Sequence, residues 1–481
     1  WHVSPDGRHY TLDLRRDVRF SNGDPFDADD VVFSIQAYLD ERVGSPQRDL
    51  LILGGQPIAV RKIASHTVAV DLPQPYAAAE RLFDGLAMLP RRLAPALQEG
   101  RLAALWGVGT APADVVGLGP FRLKEVRPGE RVVLERNPYY WKSDAKGTRL
   151  PYLDEIVWLV VPSDDAQVLR FQAGELDLLN RVPAPLVPAL ERAARGSAYA
   201  VHDLGASLEY NFLFFNLGAD RVRQPLFLDV RFRRAVSLAV DRPAIARLVY
   251  GGRATPLWGH VTPGNRLWAN ADIPKPARAI AQARATLGEA GCRWGPDGAL
   301  LDPRGKPVTV SLLVAAGNGP LLETATLLQA DFKAIGLRIQ IVPLEFRALL
   351  DRVLEARDYD AALLRLGSGD VDPNGEMNVW PSTGTAHVWN PGRAAPATAW
   401  EAEIDRLMAA QLTTGDPVRR KALYDRVQAL VAQELPIVPL ISPNVVVAAR
   451  RSLGNLRPAV LDHYTLWNAD SLFWQSSGST R

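Results

Sequence analysis

Histidine and cysteine are the residues best suited to bind a metal or attack a substrate, and their spacing in this chain favours neither chemistry. The histidines are His2, His9, His66, His202, His260, His387 and His463. None of them lies in a His-Glu-x-x-His pair or another metal-ligand spacing. The single cysteine, Cys292, cannot supply a thiolate cluster, and we interpret it as a structural thiol at a helix end. The sequence therefore predicts no metal site.

Motifs of nucleophilic and nucleotide-dependent catalysis are not found either. No Gly-x-Ser-x-Gly turn is present, and Gly305-Lys306 leads into Pro307 instead of the Ser or Thr of a phosphate-binding loop. The segment 117–120 (GLGP) places a proline where a dinucleotide-binding turn begins its helix. Scattered carboxylates leave a glycosidase pair open. We predict no catalytic residue and no cofactor.

The composition is that of an ordinary folded protein, with 481 residues, 47% of them hydrophobic and 22% charged. This length predicts two or three hydrophobic cores in one chain. No apolar run reaches the roughly 18 residues that a membrane-spanning helix needs. The formal net charge is +2 with both signs interleaved, which argues against nucleic acid as a partner.

Helix and strand patterns alternate along the chain, which predicts an α/β fold. Asp27, Ser163 and Asp229 are predicted helix N-caps, and Gly174 and Gly336 are predicted helix stops. Helices are predicted at 164–173, 320–335, 346–355, 399–412 and 417–434, and strands at 11–14, 176–179, 337–342, 359–366 and 437–441.

Several motifs occur in a fixed order from residue 1 onward. They are 3–7 (VSPDG), 18–26 (VRFSNGDPF), 117–121 (GLGPF), 137–141 (NPYYW), 171–177 (FQAGELD) and 225–235 (PLFLDVRFRRA). Their order and spacing resemble those of the extracytoplasmic solute-binding proteins of peptide and nickel ABC transporters, family 5. The resemblance extends over essentially the whole chain.

This resemblance implies an α/β, two-lobed periplasmic-binding-protein-like fold of the large extended type (class II, cluster C). It implies an extra subdomain of the first lobe at 1–113, a first lobe at 114–207 completed by about 443–481, and a second lobe at 208–442. Relatives carry a signal peptide and further residues before this point. The chain is therefore expected to be N-terminally truncated, leaving a sheet edge of the first lobe exposed.

The function implied by the resemblance is non-enzymatic transport. The protein is expected to act outside the cytoplasm or in the periplasm, as a monomer, and to deliver a peptide or small-molecule ligand to an ABC permease. Two alternatives stay open: a hydrolase on the same scaffold, and a ligand sensor for a membrane signalling partner.

The resemblance also indicates where a ligand would bind. In peptide-binding members, an aspartate three residues before an Asp-Pro pair binds the peptide's amino group. Aligning on Asp372 and Pro373 places Gly369 at that position, so Asp370 serves only after a one-residue slip. A buried Asp370 requires a cation from the ligand or from an arginine such as Arg365, unless it stays in water.

Flat aromatic and amide side chains follow the Asp-Pro pair. Trp380 and Trp389 could form the floor of a cleft or lie in a core, and Asn374 and Asn378 could orient a ligand. Further candidates are Tyr210, Asn216, Trp258 and Trp268. The predicted ligand-binding residues are Asp370, Asp372, Asn374, Asn378, Trp380, Trp389, Tyr210, Asn216 and Trp258.

Overall fold

We describe the protein from a computed structural model. The structure describes residues 1–45, 47–105, 107, 109–218, 224–367, 370–461 and 465–475. The α-helices are α1 (Ala28–Leu39), α2 (Ala79–Asp84), α3 (Ala94–Gln98), α4 (Leu102–Leu105), α5 (Asp164–Ala173), α6 (Val187–Ala194), α7 (Val230–Ala239), α8 (Arg242–Leu248), α9 (Ile280–Glu289), α10 (Gly319–Lys333), α11 (Phe346–Leu350), α12 (Ala399–Thr413) and α13 (Pro417–Glu434).

Strands are distributed along the whole chain between these helices. They are β1 (His2–Val3), β2 (His9–Asp13), β3 (Ile52–Leu53), β4 (Gln56–Pro57), β5 (Ala59–Ala64), β6 (Thr67–Asp71), β7 (Phe121–Arg127), β8 (Arg131–Arg136), β9 (Glu155–Leu159), β10 (Leu178–Leu179), β11 (Tyr199–Ala206), β12 (Glu209–Phe215), β13 (Ala254–Pro256), β14 (Arg293–Trp294), β15 (Leu300–Leu301), β16 (Thr309–Ala315), β17 (Arg338–Leu344), β18 (Ala361–Gly367), β19 (Ile437–Arg450), β20 (Leu453–Gly454) and β21 (Phe473–Trp474).

The N-terminal unit, residues 1–116, is built on a four-stranded antiparallel sheet in the order β1-β2-β6-β5. Helix α1 buries its apolar face in the same core as β6, where Val31 joins Val68. Asp27 begins the helix by accepting a hydrogen bond from the backbone N–H of Asp29. The prediction that Asp27 is a helix N-cap is thus confirmed, and the helix that it begins packs against this sheet.

A three-stranded antiparallel sheet, β7-β8-β9, follows the N-terminal unit. Strand β9 pairs with β8 alone among the described strands, and the apolar residues 157–160 at its free edge are exposed. The C-terminal segment reaches this region through Asp470, which accepts hydrogen bonds from Lys142 Nζ at 2.8 Å and the Tyr140 hydroxyl at 3.2 Å. The idea that a segment before residue 1 covers such an edge stays a prediction.

The largest sheet has the order β10-β19-β12-β18-β16-β17, and β11 and β13 also pair with β19. Strand β16 runs parallel to β17 and β18, whereas the other pairs are antiparallel. Helix α10 and strand β17 follow β16 as a crossover unit, as the alternating pattern predicted.

Strand β19 extends well beyond the predicted strand 437–441 and changes partners along its length. Its first part pairs with β12, ending at Asn211↔Ile441, and its second part pairs with β11, beginning at Ala206↔Asn444. Between these registers the backbone N–H of Ser207 donates to the Pro443 carbonyl at 2.9 Å. We call residues 206–208 and 442–444 the strand junction.

Hydrophobic cores follow this arrangement. The largest cluster of buried apolar side chains draws its members from residues 210–441. A second one combines residues 168–199 with Val446 and Ala448 of β19. The N-terminal unit holds two further clusters. The described residues therefore form four clusters, two of them in the N-terminal unit, compared with the two or three cores predicted from the chain length.

Most predicted helix ends are confirmed. Ser163 caps α5 by accepting from the Ala166 N–H at 3.2 Å, and Gly174 ends it in the left-handed region with a φ of 92°. Asp229 caps α7. The predicted helix 346–355 is confirmed in its extent, but only α11 (Phe346–Leu350) is α-helical and residues 351–355 continue it as a π-helix.

Two global features also bear on the sequence predictions. The cysteine at position 292 is buried, and its burial raises the pKa of the thiol to about 11. Within the part of the chain that the structure describes, no helix combines the length and apolar character needed to cross a bilayer.

Candidate functional site

An acidic turn, residues 370–376, follows strand β18 and includes a 3-10 helix at Pro373–Glu376. Asp370 begins the turn by accepting from the backbone N–H groups of Val371 at 2.6 Å and Asp372 at 3.3 Å. Its carboxylate lies 3.6 Å from the Arg81 guanidinium of the N-terminal unit. Gly369, which the alignment placed at an amine-binding position, lies outside the described residues.

Asp372 lies behind this turn in a buried ion pair with Arg420 of α13. The guanidinium donates two hydrogen bonds to the carboxylate, at 2.7 and 2.6 Å, and both side chains are about nine-tenths buried. Arg420 also donates to Asn374 Oδ1 at 3.1 Å and lies 5.0 Å over the Trp268 ring. The protein itself therefore supplies the cation that a buried carboxylate needs, and Asp372 holds the turn through this pair.

The side-chain amide of Asn374 uses its oxygen, but not its nitrogen, in hydrogen bonds behind the acidic turn. Its Oδ1 accepts from Arg420 and, at 3.0 Å, from Gln411 Nε2. Its Nδ2 is buried and has no hydrogen-bond partner among the described residues. The group beside this amide is the Tyr76 hydroxyl of the N-terminal unit, since hydrogen bonding from the Asn374 side chain acts to lower the pKa of that phenol.

A buried polar cluster lies at the end of the acidic turn; we call Glu376, Trp380, Tyr424 and His260 the Glu376 cluster. The Glu376 carboxylate accepts from Trp380 Nε1 at 2.5 Å and from the Tyr424 hydroxyl at 2.7 Å. His260 Nε2 lies 3.2 Å from the same hydroxyl and 3.9 Å from the carboxylate. Burial raises the pKa of Glu376 and lowers that of His260 to about 3. Both groups therefore favour their neutral forms.

Trp380 and Trp389 do not form the exposed floor of a cleft in this structure. Each is 1% exposed, and their rings lie 5.5 Å apart inside the largest core. Trp389 also packs 4.1 Å from the His387 ring. Both indoles are therefore buried, with apolar core residues on some sides and His260, Glu376 or His387 on others, and the prediction that they contact a ligand stays a prediction.

The other predicted residues are scattered. Tyr210 is 1% exposed, and its hydroxyl has no hydrogen-bond partner among the described residues. Asn216 lies just beyond the opposite end of β12, where its amide donates to the Arg357 and Tyr359 carbonyls. Asn378 is exposed. Asn216 is thus a structural residue at a strand end, which corrects the prediction that it faces a cleft.

Trp258 also has a structural contact of its own. Its Nε1 donates to the Pro276 carbonyl at 3.0 Å, and its ring lies 5.5 Å from the Arg242 guanidinium. Neither contact brings it to the acidic turn. The prediction therefore grouped residues that the fold separates.

The N-terminal unit meets the acidic turn directly. The backbone N–H of Ala77 donates to the Leu412 carbonyl near the end of α12 at 2.8 Å. Tyr76 lies beside Asn374, and its burial there raises the pKa of the phenol. With the Arg81–Asp370 pair, these contacts define an interface between residues 76–81 and the acidic turn.

The strand junction lies at another edge of the same interface region. Glu209, at the start of β12, is 2.7 Å from the Arg181 guanidinium and 3.4 Å from that of Arg365. Arg365, one of the partners predicted for Asp370, makes this contact with Glu209. A cavity of about 370 Å³ adjoins the junction and is lined by Leu204, Gly205, Ala206, Thr255, Pro263, Gly264, Arg266 and Val460.

Metal binding finds no support in the described ranges: no group of three or more His, Cys, Asp or Glu side chains there is arranged to hold an ion. The chemistry available at the interface is hydrogen bonding and charge pairing around the acidic turn.

The pKa of His260 predicts a loss of stability in acid. Between pH 6.5 and about 3 the unfolded chain binds a proton at this residue that the folded chain does not, so the free energy of unfolding falls as the pH is lowered. The raised pKa of Glu376 acts in the opposite direction above 4.5, so the comparison uses the Glu376→Gln background. There, His260→Phe is expected to flatten the pH dependence by up to about 1.4 kcal/mol per pH unit.

Chemical denaturation between pH 4 and pH 7 measures this slope. His202→Asn, at an exposed histidine, is the control and should leave the slope unchanged. Equal slopes with and without His260 would contradict a neutral buried imidazole.

Sequence reasoning missed Arg420, His260 and Glu376. Arg420 shares a helix face with the buried residues Tyr424, Val427 and Val431, and that spacing is a signal that could have found it. Glu376 gave no such signal, because a lone glutamate in a polar segment has the same appearance on a surface.

The family model for bacterial extracellular solute-binding proteins, family 5 (middle), matches residues 1–387. A "probable ABC transporter-binding protein" of Deinococcus radiodurans is 27% identical over 466 residues, covering 92% of this chain and 78% of the relative. The "periplasmic oligopeptide-binding protein OppA" of Escherichia coli is 26% identical over 462 residues, covering 90% of this chain and 76% of the relative.

A solved structure has the same fold. The ABC transporter substrate-binding protein CtaP of Listeria monocytogenes superposes with a TM-score of 0.79 at 22% identity, covering 99% of this chain and 89% of that one. The predicted α/β, two-lobed fold is confirmed by this likeness and by the family match.

Proposed function

Because the chain belongs to family 5 of the bacterial extracellular solute-binding proteins, we propose that it captures a peptide or similar polar solute between two lobes and delivers it to an ABC permease. The match over most of the chain carries this proposal, and the oligopeptide-binding relative supports a peptide-like solute. In this proposal the protein works as a monomer outside the cytoplasm and changes no bond in its ligand.

The division into lobes is part of the proposal. We assign residues 1–113 to an extra subdomain, 114–207 with about 443–481 to the first lobe, and 208–442 to the second lobe. The separate hydrophobic cores support this division, as do the bonds of Asp470 to residues 140 and 142. The strand junction is then where the chain passes between the lobes.

Lobe movement would occur at the strand junction. A hinge needs a few backbone positions at element ends that absorb the change in dihedral angles. The pairing of β19 passes from β12 to β11 across residues 442–443, although β13 pairs with residues 441–443 without a break. Contacts between residues 76–81 and the acidic turn would form on closure. A ligand that binds the closed form more tightly shifts the population towards it.

Asn374 is the residue we expect to contact the solute most directly. Its Nδ2 is buried and meets no hydrogen-bond acceptor of good geometry among the described residues, and Tyr76 of the N-terminal unit lies beside it. Asp370 and the exposed Asn378 are proposed to line the same opening. Tyr210, Trp380 and Trp389 lie behind this layer and support it.

Removing the Asn374 donor is expected to weaken solute binding about tenfold, the typical cost of a lost hydrogen bond to a buried group. The test is calorimetry of Asn374→Ala with the small molecules that mass spectrometry detects on release from the purified protein. Gln411→Ala is the matched control, because it removes a partner of Asn374 Oδ1 and leaves Nδ2 intact. Chemical conversion of the released solute, or equal affinity for both variants, would contradict the proposal.

A further inference from the structure

A single loop connects the strand junction with the acidic turn. This bridging loop, residues 259–268, follows β13 and lies half-buried between the two. Its contacts at each end are specific hydrogen bonds and close packing.

At the junction end the loop touches the backbone of Ser207. The Thr262 hydroxyl donates to the Ser207 carbonyl, which also accepts from the Ser442 hydroxyl at 3.1 Å. Thr262 is buried, so this bond is shielded from water. The carbonyl where β11 passes into β12 is therefore held by the loop on one side and by β19 on the other.

Gly264 fits this place because it lacks a side chain. A Cβ built there would lie 2.3 Å from the Ala206 carbonyl oxygen and 2.8 Å from that of Ser207. Its φ lies outside the left-handed region, so backbone conformation does not require glycine. Glycine is required instead by the close approach of residue 264 to the two junction carbonyls. The loop is packed so tightly against them that it cannot move closer.

The other end of the loop holds the acidic turn. Asn265 Nδ2 donates to the Val371 carbonyl at 2.8 Å. Trp268 lies under the Arg420 guanidinium that binds Asp372. Asn265 is thus directly next to Gly264 in sequence and directly bonded to the turn in space.

We propose that the bridging loop couples movement at the strand junction to the position of the acidic turn, with Thr262, Gly264 and Asn265 as its positioning residues. This inference rests on the proposed function, because it gives the lobe movement a route to the solute-facing turn. Since the junction carbonyls contact Gly264 without slack, a change in their direction displaces the loop. The bond from Asn265 then carries the displacement to Val371.

The test places a change at one end of the loop and measures the other. In Gly264→Ala, amide hydrogen exchange in residues 370–376 is expected to become at least about threefold faster. Exchange in β6, inside the N-terminal unit, should stay unchanged. Gly317→Ala is the matched control, since a Cβ there meets nothing within 4 Å. Thr262→Val, which removes only the hydroxyl donor, should act in the same direction and covers the case that Gly264→Ala fails to fold.

A second readout separates this inference from the proposed function. Spin labels at Glu99→Cys and Val418→Cys, both exposed, report the distance between the units with and without the peptide tri-alanine. A single distance under both conditions in the wild-type protein counts against the lobe movement of the proposed function. Wild-type exchange rates in residues 370–376 of both Gly264→Ala and Thr262→Val would overturn the coupling, whatever the distances show.

Discussion

Replacing Arg420 with methionine is expected to lower the free energy of unfolding by about 3–5 kcal/mol, the usual cost of removing one partner of a buried ion pair. Asp372 would keep its charge in a site that is 10% exposed, with both guanidinium bonds gone. Urea denaturation at pH 7 measures the loss.

The size of this effect depends on the burial of the Arg420–Asp372 pair, and two control variants separate burial from the loss of an ion pair. Arg406→Met breaks an exposed pair with Glu403 and should change stability by no more than about 0.5 kcal/mol. Adding Asp372→Asn to Arg420→Met should recover part of the loss, because it removes the unpaired charge. A loss below about 1 kcal/mol for Arg420→Met would mean that water reaches Asp372.

Trp380→Ala is expected to destabilise the protein by about 3–5 kcal/mol, as deletion of a fully buried aromatic side chain does. The indole is 1% exposed and packs 4.0 Å from the His260 ring. Its loss also removes one of two hydrogen bonds to Glu376. The alternative, that Trp380 lines a cleft, predicts weaker ligand binding with little change in melting temperature.

Trp158→Ala provides the matched control for this substitution. That indole is 50% exposed, so its removal should cost less than about 1 kcal/mol. Calorimetric melting of both variants measures the difference. Equal melting temperatures for Trp380→Ala and the wild-type protein would contradict this prediction and favour the alternative that Trp380 lines a cleft.

Local signals predicted the secondary structure well because the causes are local. Asp27 and Ser163 begin helices through bonds to backbone N–H groups two or three residues away. Gly174 ends one with a φ that other residues rarely adopt. In each case the sequence window contains every atom that decides the outcome.

The end of β19 was not predictable in the same way. A proline such as Pro443 is expected to end a strand, yet strand β19 continues to Arg450. Proline is tolerated there because the strand changes partners at that point, so no ladder bond from residue 443 is needed. That exchange depends on β11 and β12, which lie far away in the chain.

The candidate site was predicted by segment and not by side chain. The acidic turn contacts the N-terminal unit, with Asp370 next to Arg81 and Asn374 next to Tyr76, whereas the predicted ligand contacts of these residues stay predictions. Core and pocket walls are built from the same residue types, so a sequence cannot tell that Trp380 is enclosed. The resemblance supplied the family, and the three-dimensional contacts showed which of the predicted residues are buried.

The pairing of β19 with two earlier strands also determines when those strands can complete their hydrogen bonds during translation. Residues 199–206 leave the ribosome roughly 250 residues ahead of the segment with which they pair. Until that segment emerges, β11 presents an unsatisfied edge to its surroundings. The nascent chain therefore has to be kept from aggregating at this edge until residues 444–450 have been translated.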